Sequence, residues 1–147
     1  MRAVIQRVTS ASARVEGRVV GSCGAGLLVL LGVADGDGQV VAERLAAKNA
    51  RLRIFANADG RFGLSVLDVG GQALVVSQFT LLTDPGRQKG ARPDFSGAAR
   101  PNVAEPLYER FCQALHELGV HTETGLFGAQ MEIELVNDGP VTLILDE

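Results

Sequence analysis

VVSQFTLLTD, residues 75–84, is the stretch on which the reading of the fold turns. It reads as an apolar strand that carries Ser77, Gln78, Thr80 and Thr83 toward its end. A second stretch, NDGPVT at residues 137–142, looks like its counterpart near the C-terminus. The remaining residues read as scaffold that places these two segments.

Working backward, the strand extends to Gln72, giving residues 72–82. Residues 62–68 form another strand, and Val69-Gly70-Gly71 between the two has the composition of a hairpin turn. Further upstream, GAGLLVLLGV at residues 24–33 is a continuous apolar run of strand length, expected to be buried on both faces. Residues 2–15 alternate only partly. Glu16-Gly17 separates them from residues 18–21, which fits a hairpin. Asp35-Gly36-Asp37-Gly38 reads as a turn with a helix N-cap. A calcium loop would need further oxygen ligands and a late Glu that are missing here. Residues 39–52 are helical by the spacing of Val41, Leu45, Asn49 and Leu52, and residues 57–60 are a turn.

Working forward, TDPGRQKGARPDFSGAA at residues 83–99 is a long polar loop bearing Arg87, Lys89 and Arg92. Loops of that length in small domains are commonly functional or disordered. Residues 101–118 form a second helix. Pro101 suits its first turn, Val103, Leu107, Phe111, Leu115 and Leu118 make its apolar stripe, and Gly119 ends it. Residues 121–128 read as a glycine-containing connection. Residues 131–136 and 141–145 are the last two strands, separated by a turn at NDGP.

The chain has 147 residues, enough for one domain spanning 1–147, and 46% of them are hydrophobic. The expected class is α/β, a curved sheet or barrel-like pair of sheets with two main helices packed outside. A net charge of −3 argues against non-specific coating of nucleic acid, which is driven by phosphate neutralisation, but leaves room for a local basic patch. Cys23 and Cys112 lie in no metal-binding pattern and read as two buried thiols. No signal segment or membrane span is apparent, so a soluble cytoplasmic protein is expected.

The side chains for ordinary hydrolysis are thinly supplied. Only His116 and His121 could act as an imidazole base, and no G-x-S-x-G elbow occurs. On a strand, Ser77 and Phe79 would face one side, and Gln78 and Thr80 the other. A nucleophile with its base is therefore hard to build from this segment. Backbone N–H groups at the strand end could instead support an oxyanion. Gly139-Pro140 reads either as a hairpin turn or as a cis peptide in a constrained site, whose carbonyls could accept from an ammonium group.

SQFTL at residues 77–81 together with NDGPVT, an NxGPxT pattern, resembles the D-aminoacyl-tRNA deacylase family. MRAVIQRV at the N-terminus, KGARPDFSGAA at residues 89–99 and FGAQM at residues 127–131 extend the resemblance over essentially the whole chain. It implies hydrolysis of the ester that joins a D-amino acid to the 3′ end of tRNA, and removal of glycine from mischarged tRNA. It implies no metal and no cofactor, and a homodimer in which the Gly-cisPro segment of one subunit enters the active site of the other. Carried over, Gly139 and Pro140 would hold the α-amino group and exclude an L side chain. Ser77, Gln78, Phe79 and Thr80 would line the adenosine and ester pocket. Arg7 would orient the Gly-Pro segment, and Phe127 and Met131 would border the site. Thr80 would support rather than attack, since nothing offers it a base, and the RNA 2′-hydroxyl would assist. Arg87, Lys89 and Arg92 would meet the tRNA acceptor end. Two alternatives stay open: a binding module for a nucleic-acid end or an amino acid without turnover, and a relative with a trans Gly-Pro bond and relaxed chirality.

Overall fold

In the computed structural model, which describes residues 1–84, 86 and 90–147, one long strand organises the chain. Strand β1, Arg2–Val15, pairs along one edge with β8, Glu132–Asp146. Along its other edge it pairs first with β3, Gly26–Gly32, and then with β2, Arg18–Cys23. Glu16 and Gly17 both take positive φ (49° and 78°), the geometry of a tight two-residue hairpin, as expected from the sequence. Strand β6, Gln72–Ser77, adds to β3 in parallel, and β7, His121–Thr124, adds to β6 in parallel. The sheet then curls until β2 reaches β7, where the Ser22 N–H donates to Glu123 Oε2 at 2.8 Å. The result is a mixed sheet nearly closed into a barrel. A small separate sheet pairs β4, Phe55–Ala56, with β5, Phe62–Leu64.

Two helices, α1 (Gln39–Arg51) and α2 (Pro101–Glu117), pack on one another and cover one face of the sheet. Ile5, Leu27, Val29, Leu31, Ala73 and Val75 point toward them and meet Leu45, Phe111 and Leu115. The other face turns inward, where Val8, Ala11, Ala13, Leu28, Leu74 and Val76 pack with Ile133 and Leu135. Strands β3 and β6 are thus buried on both faces, which accounts for their unbroken apolar runs. Arg110 on α2 joins the helices through Glu43 on α1 and pairs with Glu117 on its own helix. Both cysteines are buried free thiols.

The structure corrects the sequence reading at several places. The strand expected over 62–68 stops at Leu64, and 69–71 is no hairpin turn. Ser65 and Asp68 close a local turn through Ser65 N–H and Oγ donating to Asp68 Oδ2, and β6 leaves to pair in parallel instead. The strand expected over 72–82 stops at Ser77, where Phe79–Leu82 winds into a 3₁₀ turn. Residues 121–124 are a strand rather than a connection. Asp37 caps no helix, because its carboxylate accepts from Ala34 N–H and from the Met1 amine, and Gly38 holds the cap position without a side-chain bond. Val103, expected in the apolar stripe of α2, is exposed.

The largest correction concerns NDGP. It joins no two strands of a hairpin, for β8 runs through it and pairs with β1 on both sides. Gln6 faces Thr142 and Val8 faces Asn137, so residues 138–141 bulge out opposite Arg7 alone. Both flanks pair with β1 rather than with each other, so the extra residues are extruded as a bulge.

Candidate active site

The end of β6 is shaped by its neighbour. Ser77 is the last residue paired with β3, and the Gln78 N–H still donates to Leu31 O at 2.8 Å. The chain then turns sharply across Gly32. A Cβ on Gly32 would stand 2.2 Å from Leu82 Cδ2 and 3.1 Å from Gln78 O, so a larger residue there would push the Leu82 side chain aside and crowd the turn. Gln78 Nε2 donates to Thr80 Oγ1 at 2.5 Å, and Thr83 Oγ1 donates to Thr80 O at 2.6 Å. The strand-face assignment made for these residues therefore does not hold. The four side chains follow a turn, not the alternation of a strand.

Ser77, Gln78 and Phe79 form one wall of a cavity of about 630 Å³. Phe127 and Met131 form part of another wall, whereas Thr80 sits beside the cavity without lining it. The sequence reading missed Phe95, Ala104, Tyr108 and Ala129, which are among the other lining residues. Tyr108 donates its hydroxyl to Val75 O at 2.8 Å, and its ring lies 5.7 Å from that of Phe127. Burial pushes the phenol far above its ordinary range, so it stays protonated there. Cys112, one turn further along α2, is pushed up to about 12 by burial. Phe79 and Phe95 meet edge to face at 5.2 Å at the cavity. Ala104 and Tyr108 stand four residues apart on α2, so that spacing was the available signal.

This lining is mostly apolar with a few polar groups along one edge, the usual build of a small-molecule pocket. Neither histidine lines it. His116 is exposed on α2, and His121 lies at the surface of β7 with Nε2 3.8 Å from Glu123. No group of three or more potential metal ligands occurs among the described residues.

Arg7, Gly139 and Pro140 lie apart from this cavity in the same chain. The neck of the bulge is clasped by the residues that flank the motif. Asn137 Nδ2 donates to Thr142 Oγ1 at 2.9 Å, and the Val141 N–H donates to Asn137 Oδ1 at 3.1 Å. Val141 anchors in the core, while Gly139 and Pro140 are exposed. The Gly139-Pro140 peptide is cis, in contrast to the trans alternative. Arg7 lies beneath the segment, with Nε 3.2 Å from both Asp138 O and Asp138 Oδ2. The fixed Asn and Thr of the NxGPxT pattern thus close the neck, and the Gly-Pro pair is what they present. Of the expected tRNA-facing cations, Arg92 is exposed, and Arg87 and Lys89 lie outside the described residues.

Comparison with known proteins points one way. The family model for D-Tyr-tRNA(Tyr) deacylase matches residues 4–146. A D-aminoacyl-tRNA deacylase of Roseiflexus castenholzii is 58% identical over 146 residues, covering 99% of this chain and 92% of the relative. One from Anaeromyxobacter dehalogenans is also 58% identical, covering 99% and 97%. A solved structure described as c-Myc DNA Unwinding Element Binding Protein superposes with a TM-score of 0.92 at 39% identity, covering 100% of this chain and 99% of that one. A probable eukaryotic D-amino acid tRNA deacylase shares the fold, with a TM-score of 0.83 at 18% identity over 99% and 98% of the two chains. The chain belongs to the D-Tyr-tRNA(Tyr) deacylase family, whose curated members cited here are named D-aminoacyl-tRNA deacylases.

Proposed function

We propose that this protein hydrolyses the ester between a D-amino acid and the 3′ end of tRNA in the cytoplasm, and that it also removes glycine mischarged on the alanine tRNA. The observation that carries the reading is the wall Ser77–Gln78–Phe79 on an apolar cavity, in a chain whose family is named for this reaction. The Phe79–Phe95 pair offers aromatic faces for the terminal adenine, a contact available to any base. The first N–H groups of the 3₁₀ turn have no acceptor within it. They are suited to the oxyanion that forms as the ester carbonyl is attacked. Thr80 is a support, its hydroxyl engaged by Gln78. With no histidine at the cavity, the attacking water takes its help from the RNA 2′-hydroxyl and these amides, without metal or cofactor.

The selectivity is assigned to Gly139 and Pro140 of a second copy in a homodimer. Support comes from their exposure on an anchored bulge, away from the cavity of their own chain. Their carbonyls would hold the α-ammonium and leave no room for an L side chain. Rejection by repulsion suits the task, because weaker apolar contact alone discriminates only about 10- to 200-fold per methylene. Glycine, having no side chain, would pass. Arg87, Lys89 and Arg92 are proposed to meet the acceptor end. A second reading, nucleic-acid-end binding without turnover, is favoured by the 39%-identical structure described as c-Myc DNA Unwinding Element Binding Protein.

Matched D- and L-tyrosyl-tRNA incubated with the purified protein in EDTA separate the two. Rapid release of D-tyrosine alone supports the deacylase. Retention of both esters with tRNA bound supports the binding module, and equal cleavage of both refutes the sieve.

A further inference from the structure

The small sheet of β4 and β5 stands outside the barrel, and the reaction proposed above makes no use of it. It nonetheless closes around Arg7. Arg7 Nη1 donates to Ile54 O at 2.5 Å, on the approach to β4. The guanidinium carbon lies 5.7 Å from the centroid of the Phe62 ring, at the start of β5. On its other side Arg7 meets Asp138 through Nε, and Nη2 stands 3.1 Å from the place a Cβ on Gly139 would take. The guanidinium therefore touches the small sheet on one side and the extruded segment on the other.

A guanidinium is planar, with donors in a fixed fork. The Ile54 carbonyl and Asp138 fix two directions in its plane, and the Phe62 ring lies against its charge. Burial does not explain where Phe62 sits, since the residue is 60% exposed. Its pairing with Ala56 in the small sheet holds the backbone there, and the ring is then turned to the cation. The Arg7 side chain is only 13% exposed, so it has few other arrangements open to it.

We infer that Phe62 is a positioning residue for Gly139 and Pro140. Through Phe62 and the Ile54 carbonyl, the small sheet sets the tilt of Arg7, and Arg7 sets the aim of the segment that sorts D from L esters. The inference rests on the function proposed above, and its test separates the two.

Phe62→Leu keeps apolar bulk and loses the aromatic face, whereas Phe62→Tyr keeps the face. In Phe62→Leu, kcat for D-tyrosyl-tRNA should fall about two- to fivefold with KM little changed, the size of an exposed cation–ring contact. The L-to-D cleavage ratio should rise. Phe62→Tyr should restore both. Nitrogen-15 NMR of the Arg7 Nε–H and the Gly139 amide supplies a readout independent of turnover. Both signals should move in Phe62→Leu and return in Phe62→Tyr. Unmoved signals in Phe62→Leu overturn the inference, as does loss of turnover that Phe62→Tyr fails to restore. A wild-type protein that cleaves neither ester refutes the proposed function, and the spectra still decide the role of Phe62.

Discussion

Replacing Gly139 by Ala tests the bulge most sharply. Gly139 has φ of +129°, a region L side chains rarely adopt. Its added Cβ would stand 2.7 Å from Val141 Cγ2, 3.0 Å from Val141 N and 3.1 Å from Arg7 Nη2. Backbone held in such a region costs about 1–3 kcal/mol for a non-glycine residue. Ala also stiffens the unfolded chain, an effect of about 0.4–1 kcal/mol in the opposite direction where the native backbone accepts it. The net expectation is a loss of about 1–2 kcal/mol. With a urea slope of about 2 kcal/mol/M, the unfolding midpoint falls by about 0.5–1 M. Gly24→Ala is the control, because its Cβ would approach nothing closer than Gln72 Oε1 at 3.7 Å and its φ is not positive. That variant should lie within about 0.5 kcal/mol of wild type. Cleavage of D-tyrosyl-tRNA by Gly139→Ala should fall as the displaced segment loses its aim. A Gly139→Ala protein with the wild-type midpoint and unchanged D-over-L selectivity would refute both the strained geometry and the assigned role.

Other consequences are smaller. Tyr108→Phe removes a buried hydrogen bond, but Val75 O keeps the Gly125 N–H at 2.9 Å, so urea unfolding should show a loss of only about 0.5–1.5 kcal/mol. A larger loss would mean that the hydroxyl has a further partner. The Ser65 hydroxyl, and after it the Ser65 N–H, hold the Asp68 carboxyl below its ordinary value of 3.8. That contribution is present above the unfolded value and disappears as pH falls through the lower folded one. Ser65→Ala should raise the Asp68 value in a carbon-13 titration. The midpoint deficit of Ser65→Ala at pH 7 should shrink as pH falls below about 4 toward the folded value. Cys112, pushed up to about 12 by burial, should resist an aromatic disulfide reagent at pH 8 until the protein is unfolded. Rapid labelling of Cys112 in the native protein would contradict its placement.

The sequence disclosed most of the framework because its signals were local. Glu16-Gly17 forces its own hairpin, the apolar run of β3 announces burial on two faces, and the stripe Leu107–Phe111–Leu115 on α2 needs only helical spacing. Errors fell where pairing is long-range. Val69-Gly70-Gly71 has turn composition, but whether β6 folds back or leaves for a parallel partner depends on β3, some forty residues earlier. NDGP carries turn residues in either case, and only β1 decides that both flanks pair with a third strand. Strand β7, HTET, is too short and polar to stand out beside a connection. The motifs named the candidate residues but not how the fold divides them. Ser77, Gln78, Phe79, Phe127 and Met131 gather at the cavity, whereas Arg7, Gly139 and Pro140 gather around a bulge elsewhere. Phe62 gave no signal at all, because a single aromatic near a turn acquires meaning only when Arg7 is seen beside it.

The central claim is that the cavity of one copy and the Gly-Pro segment of another make one D-selective site. Complementation tests it most directly. One variant, Ala129→Trp, fills the cavity and keeps the segment. The other, Gly139→Ala with Pro140→Ala, keeps the cavity and spoils the segment. Each alone should be inactive on D-tyrosyl-tRNA. Refolded together in equal amounts, half of the dimers are mixed and each mixed dimer holds one intact site of two, so about a quarter of wild-type activity should return. No recovery in a mixture shown to contain mixed dimers would contradict a site shared between copies.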